Sequence, residues 1–115
     1  MNLDKGIILR GMQESLTDIY RLSGELTITQ IRVLVFVMRR GKVTGTDIAK
    51  ALDMSKPTVS RSIATLSDES ISRRSGEALG FMKLETDISD RRVRYAVLTQ
   101  KGQALVDRVV ELYQP

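Results

Sequence analysis

The chain has 115 residues, 42% hydrophobic and 28% charged, and 18 Lys and Arg against 14 Asp and Glu leave a net charge of +4. That is the length of one domain with an ordinary globular composition, and its cationic surplus fits a polyanion partner as readily as it fits a small protein that is mildly basic without purpose. With neither cysteine nor histidine in the sequence, disulfides, Zn sites built on those residues, and thiol or imidazole catalysis are excluded.

From the N-terminus, Ile8, Met12, Leu16, Ile19 and Tyr20 recur every three or four residues, which predicts a helix from about residue 2 to 22 with Gly24 past its end. Thr27 or Thr29 caps a second helix over about 29–40. Ile31, Leu34, Val35 and Met38 share one face of it, and Val33, Phe36 and Val37 fill much of the rest. A helix apolar nearly all round is expected to be central and buried. Residues 42–44 read as a short extended piece. Thr44 or Thr46 then caps a short helix carrying Ile48, Ala49 and Leu52, and Asp53-Met54 makes a turn.

Ser55 is a good N-cap for the next helix, with Pro57 in the first turn, where a missing N–H costs nothing. This helix is expected to end near residue 68, and 69–79 read as a loop, with room for one helical turn. Residues 81–86 and 93–98 read as two strands joined by the polar tip "DISDRR", with Val93, Tyr95 and Val97 on one face. Thr99 caps a last helix striped with Leu105, Val106, Val109, Val110, Leu112 and Tyr113. No repeat or low-complexity segment is present. The run "VLVFVM" at 33–38 falls far short of the roughly 20 residues of a membrane span. The N-terminus lacks the apolar run and cleavage site of a signal peptide, so a cytoplasmic protein that makes no membrane contact is expected.

The stretch "DMSKPTVSRSIATL" at 53–66 carries the chemistry. On a helical wheel Val59, Ile63 and Leu66 point one way, and Pro57, Arg61, Ala64 and Thr65 the other. Thr58 and Ser60 flank that outer face and Lys56 lies at the helix start. Ser and Thr do little for an exposed helix, but short hydroxyls suit phosphates and base edges. Arg61 can reach a guanine O6/N7 pair or a phosphate, and the helix N-terminus favours a phosphate. A short helix, a turn and this helix make a helix-turn-helix, whose second helix enters the major groove. Two amphipathic helices joined by a turn also occur in helical proteins of every kind. The hairpin tip "DRRVR", with Arg91, Arg92 and Arg94, turns the pattern into a winged helix-turn-helix that offers arginines to a minor groove or to phosphates. Asp90 is expected to pair with a nearby Arg and hold the wing. The alternative for this tip is a solvated turn with a local ion pair of little worth. The fold class is thus mainly α with a small β-hairpin wing.

The segments "TGTDIAKALDMSKPTVSRSIATL" and "SDRRVRYAVLTQKGQALV" resemble the MarR family of bacterial transcription regulators over roughly residues 26–112. The combination of "DRR" and "LTQKG", in that order, is the more specific part. The resemblance implies a homodimer on a pseudo-palindromic operator, with repression as the common outcome and no cofactor. It implies terminal dimerisation helices at 1–24 and 100–115 around a DNA-binding core at 27–99. The dimer contacts would come from Ile8, Met12, Leu16, Leu105, Val109, Leu112 and Tyr113. It maps Ser55, Lys56, Pro57, Thr58, Ser60 and Arg61 onto the recognition helix, Asp90, Arg91 and Arg92 onto the wing, and Thr46 onto a backbone-phosphate contact. Thr65 and Arg94 extend those two sets.

The sequence departs from the family pattern in two places. The link over 67–85 is longer than usual; Arg73 and Arg74 in it are either added phosphate contacts or solvated residues of a loop flanked by Glu69 and Glu77. Only one C-terminal helix follows the wing, where typical members continue into another that completes the dimer and walls an effector pocket. A small-molecule effector is therefore left open.

Three non-enzymatic readings follow. One is a sequence-specific dimeric regulator of double-stranded DNA. The second is a replication, partition or DNA-packing protein of low specificity. The third is a winged-helix module that binds protein. No phosphate-cradling Gly motif and no carboxylate pair with acid and base roles is present, so an enzyme is not expected.

Overall fold

The computed structural model describes residues 4–67 and 79–115. Side-chain caps set where its helices begin. Asp4 accepts from the Gly6 amide at 2.8 Å and opens α1 (Lys5–Leu22). Thr27 and Gln30 exchange backbone and side-chain hydrogen bonds at 2.9 and 3.1 Å, a capping box that starts α2 (Ile28–Arg40). Thr44 accepts from the Asp47 amide and caps α3 (Gly45–Leu52), so Thr46 lies inside the first turn. Ser55 accepts from the Thr58 amide and caps α4 (Lys56–Leu66). Thr99 accepts from the Gly102 amide and caps α5 (Gln100–Leu112). Each such cap contributes about 1 kcal/mol.

Three strands complete the fold: β1 (Lys42–Thr44), β2 (Met82–Thr86) and β3 (Arg94–Leu98). They form an antiparallel sheet in the order β1-β3-β2. Val43 faces Ala96 across β1 and β3, and Leu84 faces the same Ala96 across β2 and β3. The short extended piece at 42–44 is thus a strand of the wing sheet. The pairing is long-range, which a strand of three residues does not announce.

The described residues form two compact units, 27–103 and a second made of the segment up to 26 with 104–115. In the first, the core comes from Val33, Leu34, Phe36 and Val37 of α2, Ile48 of α3, Val59, Ile63 and Leu66 of α4, and Phe81, Met82 and Ala96 of the sheet. Each large side chain so buried contributes about 1.5–3 kcal/mol. α2 is central, as its apolar girth predicts, but Val35 is turned outward. On β3 both Ala96 and Val97 are buried, so the expected split into one apolar face fails at its C-terminal end. Successive side chains point to opposite faces of the sheet, so both faces are covered at that end of β3.

α3 and α4 are set at their angle by the turn between them. Asp53 adopts the left-handed region at φ 54°, ψ 55°, and Arg32 of α2 donates from Nη2 to the Leu52 carbonyl at 3.0 Å. Beyond α4 the chain returns to its own end. The amides of Gly80 and Phe81 donate to the carbonyls of Ser67 and Leu66 at 2.8 and 2.9 Å. The wing therefore starts against the C-terminus of α4. At the same end of β2, Gly102 packs on the Phe81 carbonyl so closely that a Cβ would overlap it.

In the second unit α1 lies against the end of α5. Gly11 meets the Tyr113 ring with no room for a Cβ, and Arg108 donates to Asp18 at 2.9 Å. The buried face of α1 is Gly11, Ser15 and Ile19. The face predicted from periodicity lies mostly outward instead: Ile8, Met12, Leu16 and Tyr20 are all exposed. The absence of a side chain at Gly11 lets the Tyr113 ring approach.

Candidate nucleic-acid interface

The outward side of α4 carries Lys56, Pro57, Ser60 and Arg61, all exposed. Its inward side holds Val59, Ile63 and Leu66 together with Ser62, which donates to the Thr58 carbonyl at 2.9 Å and so enters the core satisfied. Not every hydroxyl of α4 is available to a ligand. Ser55 donates to the Thr58 hydroxyl at 2.8 Å while capping the helix. Thr65, only partly exposed, donates back to the Arg61 carbonyl at 3.2 Å. The side chains of Ser60, Lys56 and Arg61 have no hydrogen-bond or ion-pair partner among the described residues. These three are the groups that α4 offers to a ligand.

The wing is built around one carboxylate. Asp87 Oδ1 accepts from the amides of Ser89 and Asp90 at 2.7 and 3.3 Å, and its Oδ2 accepts from the Tyr95 hydroxyl at 3.2 Å. Its own amide donates to the Val93 carbonyl at 2.9 Å. The bond to a carboxylate pushes the Tyr95 pKa up. Lys42 of β1 stands 4.7 Å from the centre of the Tyr95 ring, a cation–π contact that ties β1 to the wing. The role of Asp87 was not read from the sequence. The signal was there in "DIS", where an Asp caps its own turn two residues on.

Asp90 pairs with Arg92 through both carboxylate oxygens, at 3.0 and 3.1 Å, and also accepts the Arg92 amide at 3.0 Å. These bonds hold the Asp90 carboxyl below its ordinary range and raise the Arg92 guanidinium. Arg92 is 90% exposed, so the pair presents the guanidinium to solvent in a fixed direction. Arg91 and Arg94 are exposed and make no ion pair with a described residue.

A groove of about 900 Å³ runs between the helix-turn-helix and the wing. Thr46, Lys56 and Ser60 line it from one side, Arg92 and Arg94 from the other, over a floor of Val59, Ile63 and Leu84. Five of the residues singled out from the sequence thus meet in one groove. Asp47, which sequence reasoning did not single out, lines it as well. Pro57, Arg61 and Thr65 are not part of the groove lining. Neither is Arg91. Arg73 and Arg74 lie outside the described residues. Of the remaining candidates, Ile8, Met12 and Leu16 are exposed, whereas Leu105 and Leu112 are already buried within one protomer. Val109 and Tyr113 are half-buried.

The class defined by this fold and groove is the winged helix-turn-helix. The MarR family model matches residues 25–70, the part of the chain that holds α2, α3 and α4. No curated protein matches the chain in sequence. Among solved structures, the transcriptional regulator Tm0710 from Thermotoga maritima is 23% identical with a TM-score of 0.67, over 93% of this chain and 64% of that one. MepR of S. aureus, solved as a DNA complex, is 24% identical with a TM-score of 0.63, over 93% of this chain and 79% of that one. AbfR in its disulfide form is 24% identical with a TM-score of 0.61, over 91% of this chain and 62% of that one. AbfR has also been solved bound to DNA. This chain therefore spans less than two thirds of AbfR and of Tm0710. Among the described residues no helix is long and apolar enough to cross a membrane, and no acidic cluster is arranged to hold a metal ion.

Proposed function

We propose that the chain is a sequence-specific DNA-binding transcription regulator that acts in the cytoplasm as a homodimer, most simply as a repressor, and has no catalytic activity. The observation that carries this reading is the groove between α4 and the wing. Adjacent major and minor grooves of a duplex are separated by one sugar–phosphate strand. A cleft with Lys56 on one wall and Arg92 and Arg94 on the other fits that strand. α4 then enters the major groove with Arg61 and Ser60 foremost, and the wing reaches the neighbouring minor groove. That MepR and AbfR have been solved with DNA supports DNA as the partner.

The dimer follows from the exposed side of α1. Ile8, Leu9, Met12, Leu16 and Tyr20 are each at least 40% exposed on one helix. A continuous apolar strip of this kind marks an interaction surface. A second copy of the chain, placed about a two-fold axis, covers it.

Selection from a random duplex library at physiological salt tests the reading. The expected product is a palindrome with half-sites about 34 Å apart. Binding without enrichment would indicate a low-specificity packing or replication protein, and absence of binding would indicate a protein partner. On the selected site Arg61→Ala is expected to weaken binding by about 1–3 kcal/mol and to relax preference at one base pair. An unchanged affinity and site preference would remove Arg61 from the interface.

A further inference from the structure

The most exposed large hydrophobic side chain among the described residues is Ile88, 98% accessible at the tip of the wing; Ile28 follows at 69%. A lone exposed aliphatic needs no explanation where nothing fixes it. Ile88 is different because its backbone is held on both sides while its side chain touches nothing. Asp87 takes the Ser89 and Asp90 amides and the Tyr95 hydroxyl, and Val93 donates to the Asp90 carbonyl at 3.0 Å. Turn chemistry favours Gly, Pro, Asn, Asp or Ser at such a place. Neither the turn nor the core requires a branched aliphatic there. The charges at the tip are also sorted. Both carboxylates, Asp87 and Asp90, are spent on bonds within the wing, and the exposed Arg91 and Arg92 follow immediately. The tip thus displays two cations and one apolar side chain.

We propose that Ile88 is the leading side chain of the wing and packs against the deoxyribose edges lining a DNA minor groove, between the phosphates met by Arg91 and Arg92. The walls of that groove are sugar C–H groups, an apolar surface, and proteins place apolar side chains in minor grooves, there as wedges between base steps. The assignment rests on the DNA-binding reading above and adds an affinity-determining contact to it.

The test compares the whole chain with Ile88→Ser, Ile88→Leu and Arg91→Ala on the selected duplex, across a salt series and with footprinting. Ile88→Ser is expected to weaken binding about three- to tenfold, the scale of a few buried methylenes. Because no charge is lost, the slope of log K against log salt stays at its wild-type value, whereas Arg91→Ala lowers it by about one. Hydroxyl-radical protection of the sugars flanking the major-groove half-site disappears in Ile88→Ser, while protection of guanine N7 under α4 persists. Ile88→Leu restores most of the affinity. Wild-type affinity and footprint for Ile88→Ser, with the wild-type chain still selecting a site, overturn the inference and leave the regulator reading standing. So does a lowered melting temperature for Ile88→Ser, which would make the residue structural. Failure of the wild-type chain to bind any duplex overturns the regulator reading itself.

Discussion

Arg92 carries its counter-ion with it. The bidentate bond to Asp90 costs little in solvent and keeps a long side chain from wandering, so less order has to be created when a phosphate arrives. The pair also fixes how the wing answers to pH. Asp90 titrates below its ordinary 3.8 in the folded chain, so its contribution is complete above that value and is lost as pH falls through the lowered one. Tyr95 titrates above its ordinary 10.0, so its bond to Asp87 is complete below that value and is lost as pH rises through the raised one. The chain contains no histidine to titrate between them. DNA affinity and the wing's NMR shifts are therefore expected to be flat between about pH 5.5 and 8.5. A titration step near neutrality would show that another group controls the wing.

At the scale of elements, the tightest joint lies where α5 leaves the sheet. Gly102 stands on the Phe81 carbonyl, so Gly102→Ala must displace the start of β2 or of α5. The expected loss is about 1–3 kcal/mol of stability, read as a lowered melting temperature. An unchanged melting temperature would mean that the joint is loose. The sequence made the helix starts legible because caps are local: Thr27, Ser55 and Thr99 act within three residues. It did not show the packing of α1. Periodicity ranks large apolar residues, and here Gly11 and Ser15 are buried with Ile19 while Ile8, Met12, Leu16 and Tyr20 face out. Nor did it show that β1 belongs to the wing sheet, because pairing between residues 42–44 and 95–97 has no local signal. For the groove, residue type pointed to Lys56, Ser60, Arg92 and Arg94. Asp47 was missed because an acidic residue in a first helical turn has an ordinary explanation in the helix dipole.

At the scale of the whole molecule, the proposed dimer rests on the exposed strip of α1. Met12 is 53% exposed within one protomer, so Met12→Glu leaves the protomer's own packing alone and places a charge in the proposed dimer contact. The expected result is a monomeric mass by light scattering. Affinity for a duplex with two half-sites is expected to fall about a hundredfold, because the second half-site no longer binds in tandem with the first. Retained dimerisation would move the two-fold axis away from α1. Throughout, the protomer's fold should be intact by circular dichroism.

Thr44 serves two masters in this scheme. It pairs with Tyr95 at the end of β1, and its hydroxyl caps α3. Anyone transplanting the DNA-reading part of this chain into another scaffold therefore cannot cut at Gly45. The smallest exchangeable cassette begins at Lys42 and must bring β3 along. Swapped between relatives, the reading head and its wing travel as one piece of hardware or not at all.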